Sequence, residues 1–335
     1  VHIGAYLEDV VSNKAAQLLR DEEPEIEEIV CVECGRKCPA GVDLCPHCGQ
    51  IPKLVLLSEL GKNLPIGLLD VVEDDKGKRE VLRKSFDVIG IDWNLEREIS
   101  EIWKKVQRQP DATILDYLVC VLVYTVTVLA GESFKKHKPE RRMAVLNNMF
   151  GGDIFYMYTM ARIASLGDIF TIKDIECPKC KHVFNFPVDL NSLEIATRKD
   201  PKSLYKWIDL RDGFKVVGEV RKRVKIRPAT FLALSHAPDT NETEMFRSMV
   251  KDVVVEIDGL GEGSTMTDED VAQLLKWDMS IFAEEVDLSA GGPEWSIEGN
   301  CPKCDREFDH MIDWRYSNFF RQSSRSSQRR RRSRR

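Results

Sequence analysis

The apolar positions divide the chain into stretches of different period. In residues 3–20, Ile3, Leu7, Val10, Val11 and Leu18 recur at helical spacing, and the acidic run DEEPEIEE (21–28) reads as a solvated linker. Within 53–88, LPIGLLDVV and VLRKSFDVI flank the turn signal DDKGK and predict a β-hairpin. Leu95, Ile99, Ile102, Trp103 and Val106 then form one apolar stripe of a helix. Segments 112–131, 139–149 and 153–166 predict three more helices, with Pro139 near the start of the second and Gly151–Gly152 breaking it from the third. A small helical bundle is therefore expected over residues 90–170.

The period becomes strand-like at 168–190, around Cys177 and Cys180. Residues 204–227 read as strands with a turn at Asp212–Gly213, followed by short helices near 228–251 and a strand VVVEIDGL. A helix opens at Thr267, where T-x-x-D forms a capping arrangement ahead of Val271, Leu274 and Leu275. A second strand-and-cysteine segment follows, and then SSRSSQRRRRSRR, a low-complexity tail expected to be disordered.

Composition changes this picture little; charge and cysteine placement change it more. With 43% apolar and 31% charged residues, the chain of 335 residues is of ordinary globular type and long enough for two or three units. Its start, VHIGAYLEDVV, has neither a basic leader nor an apolar core, so an intracellular chain is expected. The uncharged run at 117–131 falls short of the roughly 20 residues of a membrane span and is read as a buried core helix. The whole chain carries −6; eight arginines and no acid lie in 321–335, which leaves −14 on the rest. An acidic body with a basic tail is not the profile of a domain that wraps nucleic acid over its folded surface.

Eight of the ten cysteines form four C-x-x-C pairs, a spacing that suits two thiolates reaching one metal ion from a tight turn and a reducing compartment. Cys31, Cys34, Cys45 and Cys48 lie in CVECGRKCPAGVDLCPHCGQ, and Gly35 and Gly49 follow the second cysteine of each pair. This predicts a zinc ribbon, with Cys38 and His47 as non-ligands. ECPKCKHVFNFPVDL (176–190) and NCPKCDREFDHMIDW (300–314) align without a gap, so that Cys177, Cys180, Phe184 and Asp189 match Cys301, Cys304, Phe308 and Asp313. Each pair is half of a zinc site. One shared four-thiolate site is expected; separate sites completed by His182 or His310, and metal-free relics, are the alternatives. Two structural zinc ions follow, and Cys120 is left as a core residue. The fold class expected is α+β. The divisions are an N-terminal helix and ribbon (1–52), a unit with hairpin, helical bundle and first knuckle (53–190), an α+β part with the second knuckle (191–320), and the tail (321–335).

No catalytic constellation accompanies these cysteines. G-L-G-E-G-S (259–264) matches no phosphate-binding pattern and reads as a flexible connection. The six histidines are scattered, and Asp189 and Asp313, at equivalent places in repeated knuckles, read as structural. The basic residues of KVVGEVRKRVKIR alternate as on a solvent-facing strand. The Arg-rich tail offers a contact for nucleic acid or an acidic protein surface. No membrane and no small-molecule substrate is expected.

Four runs carry a resemblance: FDVIGIDWNLEREISEIW, GGDIFYMYTMARIASLGDIFTI, ECPKCKHVFNFPVDLNSLEI, and LLKWDMSIFAEEVDLSAGGPEWSIEGNCPKCDREFDHMIDWRYSNFF. Over residues 86–320 the chain resembles the tail and baseplate-hub assembly proteins of contractile-tailed phages of the T-even type, and their relatives in contractile injection systems. The resemblance implies a non-enzymatic part that helps to build, or remains within, the central baseplate. Other baseplate or tail proteins would be its partners. Its location would be the cytoplasm during assembly and then the virion or injection particle, and Cys177, Cys180, Cys301 and Cys304 would be structural metal ligands. The ribbon and the Arg-rich tail depart from that family, and they support the alternative of a zinc-ribbon protein associated with nucleic acid or transcription.

Overall fold

The computed structural model describes residues 29–30, 37–38, 55–56, 60–74, 77–109, 112–235, 242–289, 291–312 and 319–320. The helix expected at 3–20, the four ribbon cysteines, Asp313 and the tail from 321 lie outside the described residues.

The first hairpin is long. Strands β1 (Asn63–Asp74) and β2 (Gly77–Val88) pair antiparallel from Leu68↔Arg83 to Asp74↔Gly77, with a bulge toward Asn63. Helix α1 (Trp93–Val106) follows, opened by the Asp92 carboxylate, which accepts the Leu95 N–H at 2.8 Å. Its apolar stripe faces inward: Ile99 is buried and Trp103 meets Tyr117 edge-on. Helix α2 (Ile114–Thr125) starts at a Thr113/Asp116 capping box and is buried from Tyr117 to Val123, as the uncharged run suggested.

That run is not helical to its end. Val126–Leu129 forms strand β3 and pairs with β2, Phe86 opposite Leu129. Three successive β-branched residues, Thr125, Val126 and Thr127, are poor helix formers. The open edge of β2 supplies partners for their backbone, and Ala130 and Gly131, both at positive φ, turn the chain back. Helices α3 (Pro139–Asn147) and α4 (Gly151–Leu166) complete the helical part, with Pro139 in the first turn of α3. Gly151 and Gly152 form the first turn of α4 rather than a linker.

Strands β4 (Ile169–Glu176) and β5 (Val183–Asp189) make the first cysteine hairpin. Strand β6 (Glu194–Ala196) lies between Val55–Leu56 and Gly292–Pro293 in a small sheet. A second core then begins. Strands β7 (Lys206–Val216), β8 (Glu219–Ile226) and β9 (Val254–Ile257) form an antiparallel sheet. It is packed by α6 (Glu242–Val253), α7 (Asp268–Ala272) and α8 (Lys276–Ser289), while α5 (Phe231–Ser235) gives Phe231 to the first core and Leu234 to the second. Phe214, Val224, Ile226, Val254 and Phe282 are at its centre.

Two details differ from expectation. The β7–β8 turn is at Val217–Gly218, both at positive φ, whereas Asp212–Gly213 is a bulge within β7. The buried Asp278 carboxylate explains this: it accepts the N–H groups of Arg211 and Gly213 at 2.7 and 2.8 Å, which the displaced backbone would otherwise leave unpaired. G-L-G-E-G-S is a tight hairpin turn, not an open connection. Gly261–Glu262 pairs with β9, and the Ser264 hydroxyl accepts the Ile257 N–H at 2.7 Å.

Strands β10 (Ser296–Asn300) and β11 (Glu307–Met311) form the second cysteine hairpin. They return to the first core, as do Phe319 and Phe320. Among the described residues the architecture is thus mixed α/β with two large cores and a small third cluster around Ile66, Leu69, Phe150 and Leu204, the second large core lying in sequence between the two cysteine hairpins.

Candidate metal centre

Each cysteine hairpin ends in the same small turn. In the first, the Cys177 N–H donates to His182 O at 2.9 Å and the Lys181 N–H to Cys177 O at 3.0 Å; in the second, Cys301 donates to Arg306 O and Asp305 to Cys301 O, both at 2.9 Å. Lys181 and Asp305, at matching places, adopt positive φ of 58° and 55°, unusual for residues with a Cβ. A side-chain clasp spans each turn: Lys181–Glu176 at 3.0 Å, and Asn300 Nδ2 donating to Asp305 Oδ1 at 3.0 Å. The aligned sequences therefore fold into matching backbones by different side-chain contacts.

An aromatic contact docks the hairpins. Phe308 meets Phe184 and Phe186 edge-on at 5.4 and 5.3 Å. Gly299 permits this approach, since a Cβ there would stand 2.8 Å from the Phe186 ring. Docking brings four sulfurs together: Cys177 to Cys304 at 3.6 Å, Cys180 to Cys301 at 3.7 Å, and all four within 4.8 Å of one another. Four thiolates about 2.3 Å from one tetrahedral ion stand roughly 3.8 Å apart. The contacts are far too long for disulfides, whose sulfurs sit about 2.05 Å apart. Cys177 and Cys301 are buried, and Cys180 and Cys304 half-buried. The donor set fits a soft, tetrahedrally bound ion.

Electrostatics point the same way. The Cys177 thiol falls to about 6, first through the Cys180 N–H that favours its thiolate. For Cys304 the Arg306 N–H also favours ionisation, but desolvation and the sulfurs of Cys180, Cys177 and Cys301 outweigh it and push the thiol up to about 12. Four thiolates cannot share this space on their own; a bound divalent cation removes the conflict. Neither His182, which stacks on Phe184, nor His310 belongs to the sulfur cluster. The four sulfurs thus lie together in one cluster, close enough to hold a single ion.

Cys120 is buried in α2, its thiol pushed up to about 12 by burial and then by Asp116, as suits a core residue. Asp189 caps a short turn, accepting the Asn191 N–H at 2.9 Å. Two buried charges brace the first core without a motif to mark them, one beside the first cysteine hairpin and one at the β1 bulge. Arg162, buried in α4, donates to the carbonyls of Phe319 (2.7 Å), Gly167 (2.5 Å) and Ile169 (3.2 Å). Asp153 accepts the N–H groups of Ile66 and Gly67, both at 2.8 Å. Each sits on an otherwise apolar helix, the only signal that could have marked it.

Fold and cluster together define a mixed α/β protein whose cysteines form a closed, four-thiol site able to hold a metal ion. The chain belongs to the T4 bacteriophage base plate protein family, whose model matches residues 133–321. It is thus a structural phage baseplate protein and a virion component, with other baseplate or tail proteins as partners. No curated protein matches the chain. No solved structure matches it either. Among the described residues, no helix is long and apolar enough to cross a membrane.

Proposed function

We propose that this chain is a non-enzymatic structural or assembly protein of the baseplate hub of a contractile tail, fastened by structural zinc. The observation that carries this reading is the family match, whose span 133–321 contains all four clustered cysteines. A site closed by four thiols supports it, because it leaves no coordination position for substrate. In this reading Cys177, Cys180, Cys301 and Cys304 hold one zinc, and Cys31, Cys34, Cys45 and Cys48 a second. The divisions at residues 52, 190 and 320 belong to the same proposal.

The test is recovery of the tagged chain from infected cells, with and without nuclease. Hub, tube and other tail proteins should accompany it in both cases. Nucleic acid recovered alone, without tail proteins, would overturn the reading in favour of a zinc-ribbon protein acting on nucleic acid. Metal analysis of the purified chain should give two zinc equivalents.

A further inference from the structure

A groove runs between the two cysteine hairpins. Asp174 and Glu176 of β4 line it, with Glu298, Glu307 and Asp309 of β10 and β11. All five are exposed, and the apolar Ile175 and Phe308 line the same groove. Arg306 is the one guanidinium there. Glu176 is paired with Lys181. Among the described residues, no cation pairs with Asp174, Glu298, Glu307 or Asp309.

The chain carries a complement to this groove and anchors it nearby. Phe319 packs against Phe170 of β4 at 5.3 Å and Trp295, just before β10, at 5.8 Å. Its carbonyl is held by Arg162. Asp174 lies four residues along β4 from Phe170, and Glu298 three residues beyond Trp295. At about 3.3 Å per residue, the groove is roughly 10–20 Å from that anchor. Residues 321–335 follow Phe320 directly and contain eight arginines and no acid. Fully extended they reach about 50 Å. A segment tethered so close has an effective concentration in the millimolar range. Guanidinium forks pair with carboxylates two bonds at a time and also stack on aromatic rings such as that of Phe308.

We propose that the Arg-rich segment 321–335 folds back on its own chain and lies in this acidic groove. Its positive charge is then satisfied within the molecule and withheld from polyanions until one competes for it. This inference rests on the groove and the anchored Phe319–Phe320, and not on the hub assignment.

The test uses the full-length chain, freed of nucleic acid by nuclease. Trypsin removal of the tail, followed by intact mass at low salt, is compared between the natural chain and the variant Glu298→Gln/Glu307→Gln/Asp309→Asn. Cleavage should be at least about tenfold faster in the variant, and high salt should abolish the difference. Circular dichroism and metal content should match between the two. A second variant leaves the groove intact and carries Gln in place of Arg329, Arg330, Arg331 and Arg332. In it, amide exchange over 296–311 should be faster than in the natural chain. Equal cleavage rates, or equal exchange with and without those arginines, would overturn the proposal. Protection that grows with protein concentration would also overturn it, because the groove occupied would then be that of a second copy.

Discussion

The Sγ atoms of Cys177 and Cys304 stand 3.6 Å apart, although 127 positions separate the two residues. Each is paired in sequence with a neighbour on its own turn, yet each also comes within contact of a sulfur on the other hairpin. One ion held by all four, as proposed, would cross-link distant parts of the chain. Replacing Cys177 by Ser and, separately, Cys301 by Ser should each release the same single metal equivalent, and the double variant should release no more. Metal analysis with thiol titration checks this; loss of two equivalents from the double variant would contradict a shared site.

Removing the metal should also loosen the hairpins. The aromatic contact of Phe308 with Phe184 and Phe186 is small, and binding energy at such sites is largely folding energy. A chelator should accelerate amide exchange in 169–189 and 296–311 well before it affects the second core. Uniform exchange across both cores would argue that the metal is not local to this site.

Arg162 is buried with three carbonyls as partners, and desolvation lowers its pKa. Arg162→Lys keeps the charge but loses the fork, leaving carbonyls of Phe319, Gly167 and Ile169 short of donors. A destabilisation of about 2–4 kcal/mol is expected in denaturant titration. Phe319→Ala should cost about 3–5 kcal/mol through the cavity left beside Tyr158, Phe170 and Trp295.

Asp153 gives a pH prediction. Burial raises its carboxyl to about 6, against the backbone N–H bonds of Ile66 and Gly67 and the charge of Lys84, which lower it. A folded-state value above the unfolded one means that the folded protein holds the extra proton. Stability from this group is therefore complete below about 4 and falls as pH rises to about 6, by about 3 kcal/mol in all. Asp153→Asn should flatten that slope. It should also lower stability at pH 7 by about 1–3 kcal/mol, since one amide oxygen cannot serve both N–H groups as well as two carboxylate oxygens.

Gly213 is a further point of strain. At φ 74°, a Cβ there would stand 2.2 Å from Arg221 O across the β7–β8 pair. Gly213→Ala should destabilise by roughly 2 kcal/mol or more and disturb β7 locally, as amide exchange over 206–226 would report.

Much of this was legible in the sequence where periodicity and punctuation agreed. The DDKGK turn, the Asp92-led helix, Pro139 and the T-x-x-D start at Thr267 all mark elements that form close to where they were expected. The gapless C-P-K-C repeat anticipated that the cysteine pairs converge, because identical turns present their thiols alike. The errors share one cause, a long-range partner invisible in local pattern. Val126–Leu129 continues an apolar helix in sequence, but the edge of β2 recruits it as a strand. Asp212–Gly213 looks like a turn until Asp278, far along the chain, accepts its amides and makes it a bulge. Likewise, nothing local shows that 296–312 leaves its sequence neighbours to complete the first core.

That return has a consequence for synthesis. Apart from Phe231, the first core draws its residues from Leu60 to Ile195 and again from Ile297 to Phe320, with the second core made wholly in between. On the ribosome, the intervening unit has all its own residues before its host does, and can fold while the host still lacks its closing hairpin. The host's final assembly waits until its closing hairpin has emerged, and that slow, non-local closure is where chaperones would find exposed apolar surface.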